Sequence, residues 1–81
     1  MAQARLEFLV EPFVINDPGP HVQAAVQTIE AAGLPAEMGP FATTTTGELT
    51  DLLDAVSHML TAGFAAGATG IQLRVELGSH D

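Results

Sequence analysis

The chain has no cysteine, no lysine, no tryptophan and no tyrosine. Without cysteine there can be no disulfide, no thiolate metal site and no cysteine nucleophile. Arg5 and Arg74 stand alone against ten acidic residues, for a formal net charge of −8. Such a surface cannot neutralise a row of phosphates, which excludes nucleic acid as a partner. Anionic membrane surfaces are disfavoured for the same reason. Long apolar runs are missing too, none approaching the roughly 20 residues that span a bilayer. The stretch Met1–Glu7 has no basic segment leading into an apolar one, so no signal peptide is read and a cytoplasmic protein is expected. What is present is apolar: 47% of the 81 residues, with only 15% charged, against about 25% in an ordinary soluble domain. One domain over residues 1–81 with a sizeable core is expected. Its sparse charge leaves too little solvated surface for a small monomer, so self-association is expected as well.

The hydropathy pattern changes period several times along the chain. Leu6, Phe8 and Val10 alternate with Arg5, Glu7 and Glu11, the signature of a half-buried strand at about 4–12. The turn cluster Asn16–Pro20 follows, and Pro20 suits the first position of a helix. Val22, Ala25, Val26 and Ile29 form one helical stripe, predicting a helix at about 20–32 that Gly33 and Pro35 end. Two short strands are expected at about 36–40 and 41–46, the second built on Thr43, Thr44, Thr45 and Thr46, because threonine favours extended backbone. Leu49, Leu52, Leu53, Val56, Leu60 and Phe64 then repeat at helical spacing, giving a helix at about 48–66. Phe8 and Phe64 are both expected in the core. Ile71, Leu73, Val75 and Leu77 alternate with Gln72, Arg74 and Glu76, which predicts a strand at about 70–77.

The order is βαββαβ, and an internal echo supports it. Ala31-Ala32-Gly33 closes the first helix and Ala65-Ala66-Gly67 the second, as in two βαβ-like halves of a split unit. Right-handed crossovers then place both helices on one face of a four-stranded antiparallel sheet of order 4-1-3-2. This is an α+β, ferredoxin-like sandwich. Its other face should carry Arg5, Glu7, Leu9, Glu11, Gln72, Arg74 and Glu76, either solvated or as an interface in which the arginines meet carboxylates across strands or subunits.

No catalytic apparatus is visible. His21, His58 and His80 have no metal-ligand spacing, and no serine sits in a nucleophile turn. Glu48, Asp51 and Asp54 open the second helix, where negative charge complements the positive end of the helix dipole. The threonine run is the least ordinary feature. Alternate members point to opposite faces, so two hydroxyls on one face meet solvent, bond within a pocket or incur a burial penalty.

Several short motifs carry a resemblance. Glu11-Pro12-Phe13 ends the first strand, Gly39-Pro40-Phe41-Ala42-Thr43 enters the third, Gly47 precedes the second helix and Ala66-Gly67-Ala68-Thr69 precedes the last strand. In this order and spacing they resemble the thiamine-binding protein family of small YkoF-like, ferredoxin-like domains, over residues 5–77. The resemblance implies a non-enzymatic binding protein for thiamine or its hydroxymethylpyrimidine half, without a cofactor or metal, assembled as a homodimer or dimer-of-dimers tetramer. The ligand, cationic and aromatic, needs a flat apolar wall, hydroxyls or carboxylates, and a negative field. Phe13 or Phe41 could form the wall. Thr43 and Thr45, or Thr44 and Thr46 in the other register, could supply hydroxyls, with Glu11 or Glu48 for the amino group or the cation. Several relatives have an acidic residue directly before the glycine that precedes helix two. Here Thr46 stands in that place, which either weakens the fit to the same ligand or leaves the role to Glu48. The alternative is an oligomerisation or regulatory module of the same fold with no thiamine site.

Overall fold

Strand β1 (Gln3–Glu11) is organised by its alternation: Ala4, Leu6, Phe8 and Val10 are buried, and the residues between them are not. A computed structural model describes residues 2–12, 19–39 and 42–78 of the chain. Helix α1 (Pro20–Ala31) begins at Pro20, whose fixed φ suits a first helical turn, and buries Ala25, Val26 and Ile29. A two-residue β2 (Glu37–Met38), β3 (Thr43–Glu48), α2 (Leu49–Ala65) and β4 (Gly70–Leu77) complete the order. The sheet runs β2-β3-β1-β4, with each observed pairing antiparallel. This is the predicted ferredoxin-like arrangement, and β1 is its central strand.

Two strands differ from the sequence reading. The second strand shrinks from 36–40 to Glu37–Met38, because only Thr43 and Thr44 face it. The third moves from 41–46 to 43–48: pairing with β1 continues through Gly47 opposite Ala4 and Glu48 opposite Gln3. Positions 40 and 41 of the two predicted strands lie outside the described residues, as does the turn at 16–18.

The ends of the two helices repeat one design. After α1, Gly33 takes φ +83°, its N–H bonds Glu30 C=O at 2.9 Å and the Leu34 N–H bonds Ile29 C=O at 3.3 Å. After α2, Gly67 takes φ +111°, with Gly67 to Phe64 at 3.2 Å and Ala68 to Gly63 at 3.0 Å. Both are Schellman terminations, in which a left-handed glycine lets two amides satisfy the last carbonyls. The sequence echo thus reports a real structural repeat.

The core lies between β1 and the helices, with Leu52, Ala55 and Met59 of α2 joining the α1 and β1 residues. Phe64 is not part of it: it is 48% exposed, against the expectation that it is buried. The buried side of α2 is Leu52, Ala55, Met59 and Gly63, and at Gly63 a Cβ would lie 3.0 Å from Ile71 Cδ1 of β4. Phe64 and Leu53, 49% exposed, lie on a flank.

Candidate functional site

The register decides which threonines face which way. Thr45 pairs with Leu6 and Thr43 with Phe8, so both share the buried, helix-covered face of the sheet. They are 3% and 5% exposed. Thr44 and Thr46 lie opposite Glu7 and Arg5 on the other face. Of the two alternatives left by the sequence, the pair under the helices is therefore Thr43 and Thr45.

The Thr45 hydroxyl is an exception to ordinary burial. Its Oγ1 is enclosed and has no hydrogen-bond partner. A lone buried hydroxyl costs about 1–3 kcal/mol by mutational measures. An apolar side chain of the same shape would avoid that cost, so a polar atom left here is a feature to be explained.

The other expected site residues are spread over the molecule. Glu11 ends β1 on the face away from the helices, opposite Gly70, and its Oε2 accepts a bond from Gln72 Nε2 at 3.1 Å. A Cβ at Gly70 would come within 2.9 Å of Glu11 Oε1, so the glycine makes room for this carboxylate. Glu48 stands at the far end of the sheet, opposite Gln3 and eight positions along β1 from Glu11. There it caps α2: Oε2 accepts the Thr50 N–H at 2.8 Å, the Asp51 N–H at 3.4 Å and the Thr50 hydroxyl. The Thr50 hydroxyl chiefly, opposed by desolvation and aided by the Thr50 and Asp51 amides, holds the Glu48 carboxyl below its ordinary pKa. Glu11 and Glu48 are thus not brought together. Phe13 and Phe41 lie outside the described residues.

The end of the sheet that carries Glu11 also carries Thr43 and the start of β4. His21, in the first turn of α1, joins this end through its Nε2–H, which donates to Pro12 C=O at 2.8 Å. Nothing in the residue pattern signals this contact, because His21 and Pro12 are separated by a turn cluster rather than by a helical or strand period. A second feature also escaped sequence reasoning: an open groove of about 780 Å³ between the outer sides of α1 and α2. Ala24, Ala31, Ala55 and Ala62 lower its floor, and Asp51, Asp54 and His58 stand along one wall. The His58 Nδ1–H donates to Asp54 C=O at 2.9 Å. Among the described residues no three His, Asp or Glu side chains are grouped as a metal ion would require. No described helix is long and apolar enough to cross a membrane.

The fold recurs in solved structures. A Bacillus cereus domain of unknown function (DUF77) is 25% identical, with a TM-score of 0.67 over 99% of this chain and 79% of its own. A Streptococcus pneumoniae protein is 16% identical with a TM-score of 0.72, over 98% of this chain and 88% of its own. A Thermotoga maritima protein described as a candidate for thiamine biosynthesis or salvage is 22% identical with a TM-score of 0.69, covering 96% and 84%. Among curated proteins no sequence matches the chain. The profile of one sequence family matches residues 6–80, nearly all of the sequence, and the motifs around Glu11, Thr43, Gly47 and Gly67 fall inside that span. The chain belongs to the thiamine-binding protein family.

Proposed function

We propose that this protein binds thiamine or its hydroxymethylpyrimidine moiety without chemical conversion, in the cytoplasm, as a homo-oligomer. The observation that carries the reading is the partnerless Thr45 hydroxyl, buried beside Thr43 under the helices, in a chain of a family named for thiamine binding. An aminopyrimidine offers donors and acceptors that would satisfy such hydroxyls. Membership in the family and a negative field suited to a cationic thiazolium support the same ligand. Phe13 and Phe41, which the family motifs single out, are the proposed companions. Glu11, Thr44, Thr46 and Glu48 remain as contacts only for a ligand reaching the other face or the far end.

Calorimetric titration with thiamine and with hydroxymethylpyrimidine tests this directly. Saturable heat is expected from at least one, and none up to millimolar concentration sinks the reading. Thr45→Val should bind at least about tenfold more weakly, as expected when one buried hydrogen bond is lost, while its thermal midpoint holds or rises. Equal affinity would remove Thr45 from the site.

A second reading, an oligomerisation module without a thiamine pocket, draws on a different observation. Five large apolar side chains, Met38, Leu53, Phe64, Leu73 and Leu77, are exposed among the described residues. Sedimentation together with the titration separates the two: a homo-oligomer that binds neither ligand is the outcome favouring the module.

A further inference from the structure

An enclosed hydroxyl can meet a ligand only where a route leads to it, and the register of β2 on β3 marks one. Glu37 pairs with Thr44 and Met38 with Thr43. Directly opposite residues of paired strands share a sheet face, so Met38 stands on the helix-covered face beside Thr43. Carried one residue further, the same register brings Ala36 alongside Thr45, and two residues beyond that it brings Leu34 alongside Gly47. The last of these neighbours is observed: a Cβ at Gly47 would lie 2.8 Å from Leu34 Cδ2. Leu34, Ala36 and Met38 therefore form the row between the buried threonines and the β2 edge of the sheet.

The three differ in what they leave open. Leu34 reaches over Gly47 toward Leu52, whose Cδ2 would be 3.7 Å from the same Cβ, and so closes that end of the row. Met38 stands at the other end and is 54% exposed, although its position is on the core side of the sheet. Between them the row holds only the methyl group of Ala36, which is half-buried. Beyond it lies an edge strand just two residues long. The inner approach is filled. Leu6 and Phe8 of β1 lie directly across from Thr45 and Thr43, and Leu52, Ala55 and Met59 of α2 pack into the same core.

We propose that the ligand reaches Thr45 across Ala36 from the β2 edge, with Met38 as a movable wall that closes on its ring. This rests on the thiamine-class reading above, and it adds a route and two residues to that same site. A thioether on an unbranched chain with three rotatable bonds adapts its shape, and sulfur beside an aromatic ring is favourable. The exposure of Met38 acquires a reason as well, since a ring seated over Ala36 takes its apolar surface out of water. Ala36 sets the size that passes. A longer side chain there would stand in the place of the ring and set a methyl group against the Thr45 hydroxyl. The route admits a flat ring with a donor or acceptor on its leading edge, because the row is low only over Ala36 and the hydroxyl lies behind it.

Methionine itself supplies the reporter. The chain has three, Met1, Met38 and Met59, so methyl-labelled methionine gives a spectrum of few signals, with the fully buried Met59 as reference. Thiamine and hydroxymethylpyrimidine are titrated in turn into the whole chain, with calorimetry alongside. The compound that binds should shift the Met38 methyl signal through its ring current and leave Met59 nearly in place. Ala36→Leu should bind at least about tenfold more weakly, the effect of forcing extra methylenes into an occupied space, while its thermal midpoint holds or rises. Met38→Ala, altering an exposed side chain, should melt as wild type and bind roughly two- to tenfold more weakly, the range of one sulfur–aromatic contact. Saturable heat with an unmoved Met38 signal overturns the route and leaves the binding reading in place. A folded Ala36→Leu with wild-type affinity does the same; should that variant not fold, the Met38 signal decides alone. No heat from either compound overturns both.

Discussion

Thr45 and Glu48 show two opposite ways of treating a polar side chain. Glu48 has every reason to be where it is: an exposed carboxylate at the start of α2, accepting from Thr50 and Asp51. Because its folded pKa lies below the ordinary value of 4.5, its contribution is fully present above that value. It is lost as pH falls through the lowered pKa, since the folded protein must then protonate a carboxylate that is bonded as an anion. Glu48→Gln should thus melt below wild type at neutral pH, and the difference in Tm should close as the pH drops below about 4.5. A gap independent of pH would mean that the charge is irrelevant to the cap. Thr45 is the reverse case, a polar atom with nothing to bond. If a ligand satisfies it, Thr45→Val exchanges binding for stability, and the two measurements must move in opposite directions.

At the scale of elements, the paired Schellman terminations offer a clean test. A Cβ at Gly33 or Gly67 would touch nothing within 4 Å, and both residues have positive φ. Alanine at either site should therefore cost backbone strain alone, about 1–2 kcal/mol, which lowers Tm by roughly 4–8 °C per kcal/mol in a domain of this size. The two losses should add in the double variant, because a Cβ at either glycine meets nothing within 4 Å and so has no shared partner; a much smaller cost would show that the helix ends rearrange. These turns were legible in the sequence, as were β1, α1 and β4, because glycine after a helix and period-two alternation each leave a direct mark. The sheet-facing side of α2 was not. Hydropathy weights Leu53 and Phe64 heavily, whereas the buried side includes the small residues Ala55 and Gly63. The facing of the threonine run was equally unreadable, since four identical residues have no alternation. Only the pairing of Thr43 with Phe8 settles it. The candidate site was legible in composition and motif, and its division between two sheet faces was not, because that is a property of register.

For the whole molecule, a net charge of −8 carried by ten acids and two arginines makes long-range repulsion the dominant electrostatic effect. The arginines are engaged at one face: Arg5 lies 3.6 Å from Glu76, directly across the β1–β4 pair. Exposed pairs of this kind are worth about 0–1 kcal/mol, too little to offset the general repulsion. Adding salt from about 0.01 M to 0.15 M shortens the Debye length from roughly 30 Å to 8 Å. Tm should therefore rise over that range, measured with a salt that is neither strongly stabilising nor denaturing. A fall would show that the few local ion pairs outweigh the net field.

The central position of β1 has a consequence for how the protein is made. Its partners on one side lie 35 to 45 positions later, from Phe8–Thr43 to Gln3–Glu48, and on the other 59 to 73 positions later, from Glu11–Gly70 to Ala4–Leu77. Such distant pairings place the loop-closure cost early and slow the search. On the ribosome, the strand that emerges first waits for β4 before its second edge is covered. A nascent chain stalled before Ile71 would leave the backbone groups of Arg5, Glu7 and Leu9 unpaired along that open edge, a natural client for a chaperone.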